Sequence, residues 1–325
     1  MRLLKLVPDN TNIGFVSLRG WAFGLTALLT VIAVFATLTR GLELGVDFVG
    51  GLSIEATFPQ PPKMDDLREV VDHLGAGEAN LAQYADNPKT VSIRVPPPKS
   101  SDPAATNAVV TKVQQAVTQK FPGVHFGKTD SVSGKVSDEL IKKGILAVVL
   151  AVFAIALFGW FRFEWQFGLS TFVAIGHDVL MTLGFFAVTR FEVDLTTVAA
   201  VLTVVGYSIN DKIVIDDRIR ENMRKYRQMD MRGIVDLSVN ETLPRTVMTS
   251  LTVLLALGAL LIFGGHVLMS FTAAMMLGVL VGTYSSIYVS SSLLITLGLK
   301  PQPPGAAPRA KGPQSGAERI TSEGA

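Results

Sequence analysis

A chain of 325 residues with 49% hydrophobic side chains and a mean hydropathy of +0.40 is too apolar to be disordered, and its net charge of +2 is too small to argue for nucleic acid. It has no cysteine, which excludes disulfide scaffolds, cysteine-based zinc sites and thiol nucleophiles. Long, nearly charge-free runs flank an ordinary soluble-looking stretch over 40–142, which excludes a single soluble globule.

In chain order, residues 1–19 form a basic leader to a first apolar span at 20–38. That span is too long, and lacks an A-x-A site, for a cleaved signal peptide. Within 40–142 the periodicity changes. Residues 52–58 alternate as a half-buried strand, and 64–74 place Leu67, Val70, Val71 and Leu74 at helical spacing, with Gly75 as a stop signal. Strands are expected at 79–85 and 90–95 around a turn at Asp86-Asn87-Pro88, with Pro96–Pro98 as a stiff connector. Asp102 is placed to cap a helix that carries Val109, Val113 and Val117 and runs to residue 120, and 124–132 closes the set. The order β-α-β-β-α-β predicts a small α+β, ferredoxin-like domain. His73 and His125 read as solvated histidines, and the domain as a binding or coupling module.

Five further spans are expected at 144–161, 167–188, 195–215, 246–264 and 268–297, making a polytopic α-helical membrane protein of six transmembrane helices. The segments 1–19, the Arg162 turn, 216–244 and the tail after 298 hold fourteen Lys and Arg, whereas the short opposite loops hold only Arg190. By the positive-inside rule both termini are cytoplasmic and 40–142 faces outward. Residues 216–240 read as a helix lying along the cytoplasmic surface. The Pro/Gly/Ala/Ser-rich 298–325 reads as a disordered cytoplasmic tail.

Ionisable residues inside a span each cost at least ~2.5–3.5 kcal/mol by insertion scales. His177 and Asp178 fall near the middle of the third span, Asp211 and Lys212 near the cytoplasmic end of the fourth, and Arg245 at a similar depth in the fifth. Lys212 and Arg245, each taken alone, are expected to snorkel to the interface. Asp211 could be neutral and hydrogen-bonded to Ser208 or Lys212. Taken together, these groups form the inventory of a proton relay. Gly278, Gly282, Ser286 and Ser290 form a small-residue strip read as helix packing. Gly45, Asp47, Gly50 and Gly51, in GVDFVGG, read as a tight turn and hinge at the membrane surface, with a second hinge at Ser133-Gly134. No nucleophile–base pair, phosphate loop or metal cluster appears, so neither an enzyme nor a cofactor or metal is expected.

These motifs carry a resemblance. GVDFVGG (45–51), HDVLMTLGFF (177–186), EVDLTTVAA (192–200), GYSIND (206–211), DRIREN (217–222) and RTVMTS (245–250) resemble, in order and placement, the SecF branch of the SecD/SecF family of protein-export membrane proteins, relatives of the resistance-nodulation-division transporters. The resemblance covers about 14–298. It implies an accessory subunit of the Sec protein translocase in the bacterial inner membrane. Such a subunit pairs with SecD, meets the SecYEG translocon and preproteins, and uses the proton gradient to promote translocation and release. It implies Asp211 as the proton-carrying aspartate and Arg245 as its basic counterpart, with His177, Asp178 and Lys212 nearby. The chain departs from the family pattern in SVSGKV (131–136), which lacks a proline, at Lys212, and at Asp216, where an apolar residue is usual. The competing expectations are a half-size exporter of small molecules or lipids and a structural scaffold for SecD.

Overall fold

A computed structural model describes residues 8, 11–74, 79–84, 87–96, 103–162 and 164–300. Gly75, Asp86, the second half of the Pro96–Pro98 connector, the Asp102 cap and the tail beyond residue 300 lie outside the described residues. Six helices are long and apolar enough to cross a membrane. The first is α1 (Arg19–Arg40), preceded by a 3-10 turn at Val16–Leu18.

Between the first and second spans come β1 (Glu43–Leu44), α2 (Val46–Val49), β2 (Gly51–Thr57), α3 (Met64–Asp72), β3 (Asn80–Gln83), β4 (Thr90–Val95), α4 (Pro103–Lys120) and β5 (His125–Val132). The four longer strands form one sheet in the order β3-β4-β2-β5, every neighbouring pair antiparallel. This is the ferredoxin-like arrangement expected from the sequence. The alternation explains it: Leu52, Ile54 and Ala56 of β2 and Val91, Ile93 and Val95 of β4 meet Leu67 and Val71 of α3 and Val113 and Val117 of α4 in one core.

Gly51 opens β2 at φ +119, and a Cβ there would stand 2.6 Å from the carbonyl oxygen of Val95. Left-handed backbone of that kind costs other residues about 1–3 kcal/mol. Gly51→Ala is therefore expected to loosen the β2–β4 edge, measured as faster proteolysis of the ferredoxin-like domain in membranes. Unchanged cleavage would contradict the packing described.

The bundle comprises α5 (Gly134–Arg162), α6 (Trp165–Thr189), α7 (Leu195–Lys225), α8 (Met231–Phe263) and α9 (His266–Tyr284). The last runs through a π-helical segment (Ser285–Ser290) into α10 (Ser291–Thr296), and the two-residue β6 (Glu192–Val193) precedes α7. The centre is built from α6, α7 and α9. Gly278 lies under Val204 and Gly282 under Ser208, so α7 and α9 approach at a distance that only small residues allow. Gly184 of α6 likewise receives Ala33 of α1. The outer faces of α1, α5 and α8 expose Trp21, Phe35, Phe153, Trp160, Leu255 and Phe263, as surfaces that meet lipid or a membrane partner do.

One expectation fails. Residues 216–240 are not a helix lying along the surface. They are the ends of α7 and α8, two continuous helices joined by a short turn. Ile219 and Met223 pack on Ile234, Val235 and Val239, Arg218 pairs with Glu241 at 2.7 Å, and Asn222 donates to Ser238 at 3.0 Å. An amphipathic stripe suits a partner helix as well as a membrane surface, and here each half supplies the other's partner. Pro244 accordingly sits inside α8 rather than at its start. The N-terminal segment closes over this hairpin. Asn240 both accepts from the Ile13 amide and donates to its carbonyl, and Asp236 accepts from the Val16 amide at 2.8 Å.

Candidate functional site

A polar seam runs down the centre of the bundle. Asp178 of α6 is wholly buried, and its carboxylate accepts from Ser208 of α7 at 2.6 Å and from Ser285 of the π segment at 2.9 Å. His177 Nδ1 lies 3.0 Å from its other oxygen. A buried carboxylate requires such partners, and here helices from three parts of the chain supply them. His177 Nε2 is buried without a hydrogen-bond partner.

One turn along α7, Lys212 is 1% exposed. Its ammonium donates to Ser170 of α6 at 3.1 Å and lies 3.5 Å from Asp216. The expectation that Lys212 snorkels is corrected: its side chain is buried and points at Ser170 of α6 rather than outward. Asp216, noted in the sequence only as a departure, is its partner at the i+4 position, where helical side chains meet. Ser290 donates to Ser170 at 3.4 Å and Ser286 to the Ser208 carbonyl at 3.3 Å. Part of the small-residue strip therefore belongs to the seam as well as to packing.

Asp211 points elsewhere, because adjacent helical residues are turned by about 100°. Its Oδ2 is buried without a hydrogen-bond partner among the described residues. Neither expected donor reaches it, since Ser208 bonds Asp178 and Lys212 bonds Ser170. Arg245 of α8 is the charge that acts on Asp211. The two form no ion pair within 4 Å, and Arg245 is exposed, lining a cleft with Phe158, Arg162, Asp217 and Thr242. The polar seam between α6 and α7 thus holds His177, Asp178 and Lys212, while Asp211 and Arg245 make no bond to it.

At the end of the bundle next to the ferredoxin-like domain, GVDFVGG forms α2 rather than a bare turn. Its Gly45 amide donates to the Val193 carbonyl at 2.8 Å, and a Cβ on Gly45 would strike the Glu192 carboxylate. Asp47 accepts from the amide of Leu195, the first residue of α7, at 3.0 Å. Asp194 and Thr197 complete a capping box there, so two carboxylates hold the N-terminus of the helix that carries Asp211. Gly50 and Gly51 both take positive φ, and their neighbours crowd them: Gly134 on one, Val95 on the other.

Sequence reasoning did not find the parallel pairing of β1 with β6 or the charges around it. Arg190 donates to the carbonyls of Arg40 and Gly41 at the end of α1 and pairs with Glu43. Arg94 of β4 pairs with Glu192. Burial pushes the Glu192 carboxyl up from its ordinary range, against the pull of Arg94. Burial, with Glu192 and Glu55 nearby, pushes the Tyr84 hydroxyl up to about 12. Two-residue strands leave no period to read, and only the mixed charges of Glu43, Arg94, Arg190 and Glu192 signalled a contact.

The family model for the C-terminal region of protein export membrane protein SecD/SecF matches residues 112–300, and the SecD/SecF GG motif matches 35–61. The protein translocase subunit SecF of Cereibacter sphaeroides is 41% identical over 300 residues, covering 91% of this chain and 93% of that protein. The subunit of the same name in Rickettsia bellii is 37% identical over 292 residues, covering 90% and 95%. The crystal structure of SecDF, a translocon-associated membrane protein from Thermus thermophilus, superposes with a TM-score of 0.81 at 32% identity, covering 90% of this chain. SecDF in its super-membrane-facing form gives 0.65 at 33% identity, covering 89%. In both cases the chain spans about two fifths of the SecDF chain, 39% of its length. With its six spans, its ferredoxin-like insert and its GG motif docked on α7, the chain belongs to the SecD/SecF family of protein export membrane proteins.

Proposed function

We propose that this chain is an accessory subunit of the protein translocase. It pairs with SecD beside the SecYEG translocon and uses the transmembrane proton gradient to promote movement and release of preproteins. It does so without enzymatic chemistry of its own. One observation carries the proton reading: a buried carboxylate oxygen of Asp211 has no hydrogen-bond donor among the described residues, and Arg245 of α8 exerts an electrostatic pull on it. A group so placed changes its interactions with a single proton, and α7 and α8 can then repack around it. The seam of Asp178, Lys212 and Asp216 ties α7 to α6 and to the π segment, and Asp47 with the GG motif fixes the outward end of the same helix.

The proposed site is the bacterial inner membrane, with both termini cytoplasmic and the ferredoxin-like domain outside. Because the chain has no native cysteine, single cysteines at Ser100 and Ser315, both outside the described residues, test this. Ser100→Cys should label from outside intact spheroplasts and Ser315→Cys should not; the reverse pattern overturns the orientation. The function itself is tested in native membranes. The chain should co-purify with a SecD-type partner, and depleting it should remove the gradient-dependent part of preprotein export.

A further inference from the structure

Arg94 links the domain's sheet to the short ribbon that leads into α7. Along β4, Val91, Ile93 and Val95 face the domain core, while Arg94 alternates to the other face. Its guanidinium is only 8% exposed, because the outward end of the bundle covers it. One nitrogen donates to the Leu44 carbonyl at 3.2 Å and lies 3.7 Å from Glu43; another pairs with Glu192. Arg94 therefore reaches both strands of the β1–β6 ribbon at once. β1 leads out of α1, and β6 leads directly into α7. The planar fork of an arginine suits this double grip, which a lysine cannot reproduce.

The path from that grip to Asp211 is continuous. Glu192 and Val193 pair with β1, Asp194 caps α7, Asp47 holds the Leu195 amide, and α7 then runs unbroken to Lys225. At about 1.5 Å per residue, Asp211 lies about 24 Å along this rod from Leu195. The glycines of the GG motif lie close to backbone, Gly51 to the Val95 carbonyl and Gly50 to Gly134, so that a side chain at either would strike it.

We infer that Arg94 is a positioning residue that makes the outward domain ride on α7, staying gripped to the β1–β6 ribbon so that a displacement of α7 is carried outward as a rigid movement. This rests on α7 being the proton-responsive helix of the proposed function.

The test uses the full chain in native membranes, with Arg94→Cys/Glu192→Cys and a thiol-reactive bifunctional reagent about as long as the lost Arg–Glu contact. The double variant should accumulate normally and assemble with its partner, yet lose gradient-dependent export at least tenfold. Bridging the two cysteines should restore most of that export, and reducing the bridge should remove it again. A monofunctional reagent should restore nothing, whereas a merely structural contact would show as lost accumulation. Full activity of the unbridged variant overturns the inference, as does continued inactivity after bridging. A second readout does not depend on export: bridging yield should be the same with and without a proton gradient, and a collapse of yield on energisation shows that the grip opens, which also overturns it. Should the unmodified chain show no gradient-dependent export, the proposed function fails, and the bridging yield still decides whether the grip holds.

Discussion

Asp211→Asn is expected to lower gradient-dependent export at least tenfold while the chain accumulates in the membrane at its normal level and still binds its partner. The substitution keeps size and shape, so it tests protonation rather than packing. The buried Oδ2 has no donor to lose, and an amide placed there leaves the seam around Asp178 untouched. Arg245→Met should have the same consequence, since Arg245 is the charge acting on Asp211. Lys212 cannot replace it, being held by Ser170 and Asp216 on another face of α7. A static electrostatic tie between α7 and α8 gives a different result: Asp211→Asn/Arg245→Met would regain function because neither charge is left alone. A scaffold gives a third, in which every one of these variants exports normally. Full activity of Asp211→Asn would end the proton reading for this chain.

Lys212→Met should instead damage the fold. It strips the ammonium from Asp216, whose other oxygen already lacks a hydrogen-bond partner, and from Ser170. Breaking a buried ion pair from one side costs about 3–5 kcal/mol, because the remaining charge is left uncompensated in a low dielectric. The expected result is a severalfold fall in membrane accumulation and earlier thermal unfolding in detergent. Lys212→Met/Asp216→Leu should recover both, since replacing a whole buried pair with apolar groups is often neutral or stabilising. Failure of the double variant to recover would mean that the pair does more than neutralise itself. Export by a recovered double variant then separates stability from transport, a distinction that neither single variant can make.

The six spans were legible because a bilayer demands long apolar runs, and the ferredoxin-like domain because its two periodicities, near two and near 3.6, alternate cleanly between Leu52 and Val132. What escaped was set by direction rather than by pattern. Nothing local tells whether a lysine near a span end looks outward or inward. Lys212 looks inward because α6 brings Ser170 opposite it. The length of α7 and α8 was missed for a related reason. Charged residues mark where an apolar run stops, but a helix continues wherever a second helix covers it, as Ile234 and Val239 cover Ile219 and Met223. The strip at 278–290 was legible as small, yet its division was not. The glycines make room for Val204 and Ser208, while the wider π turn re-aims adjacent serines, Ser285 to Asp178 and Ser286 to Ser208. The β1–β6 ribbon joins residues 149 positions apart through two pairs only, so no local signal foretold it.

The clasp of Ile13 and Val16 by Asn240 and Asp236 also constrains the order of events during synthesis. The partners are separated by 227 and 220 positions along the chain. At about 5–20 residues per second, the ribosome needs roughly 10–45 s to supply the second half of this contact after the first has emerged. The first span must therefore enter the bilayer before those backbone groups meet these partners, and this clasp at its N-terminal end cannot close until the fifth span begins to emerge. A nascent chain stopped before residue 236 should leave residues 11–16 open to added protease, and one stopped well beyond 240 should protect them.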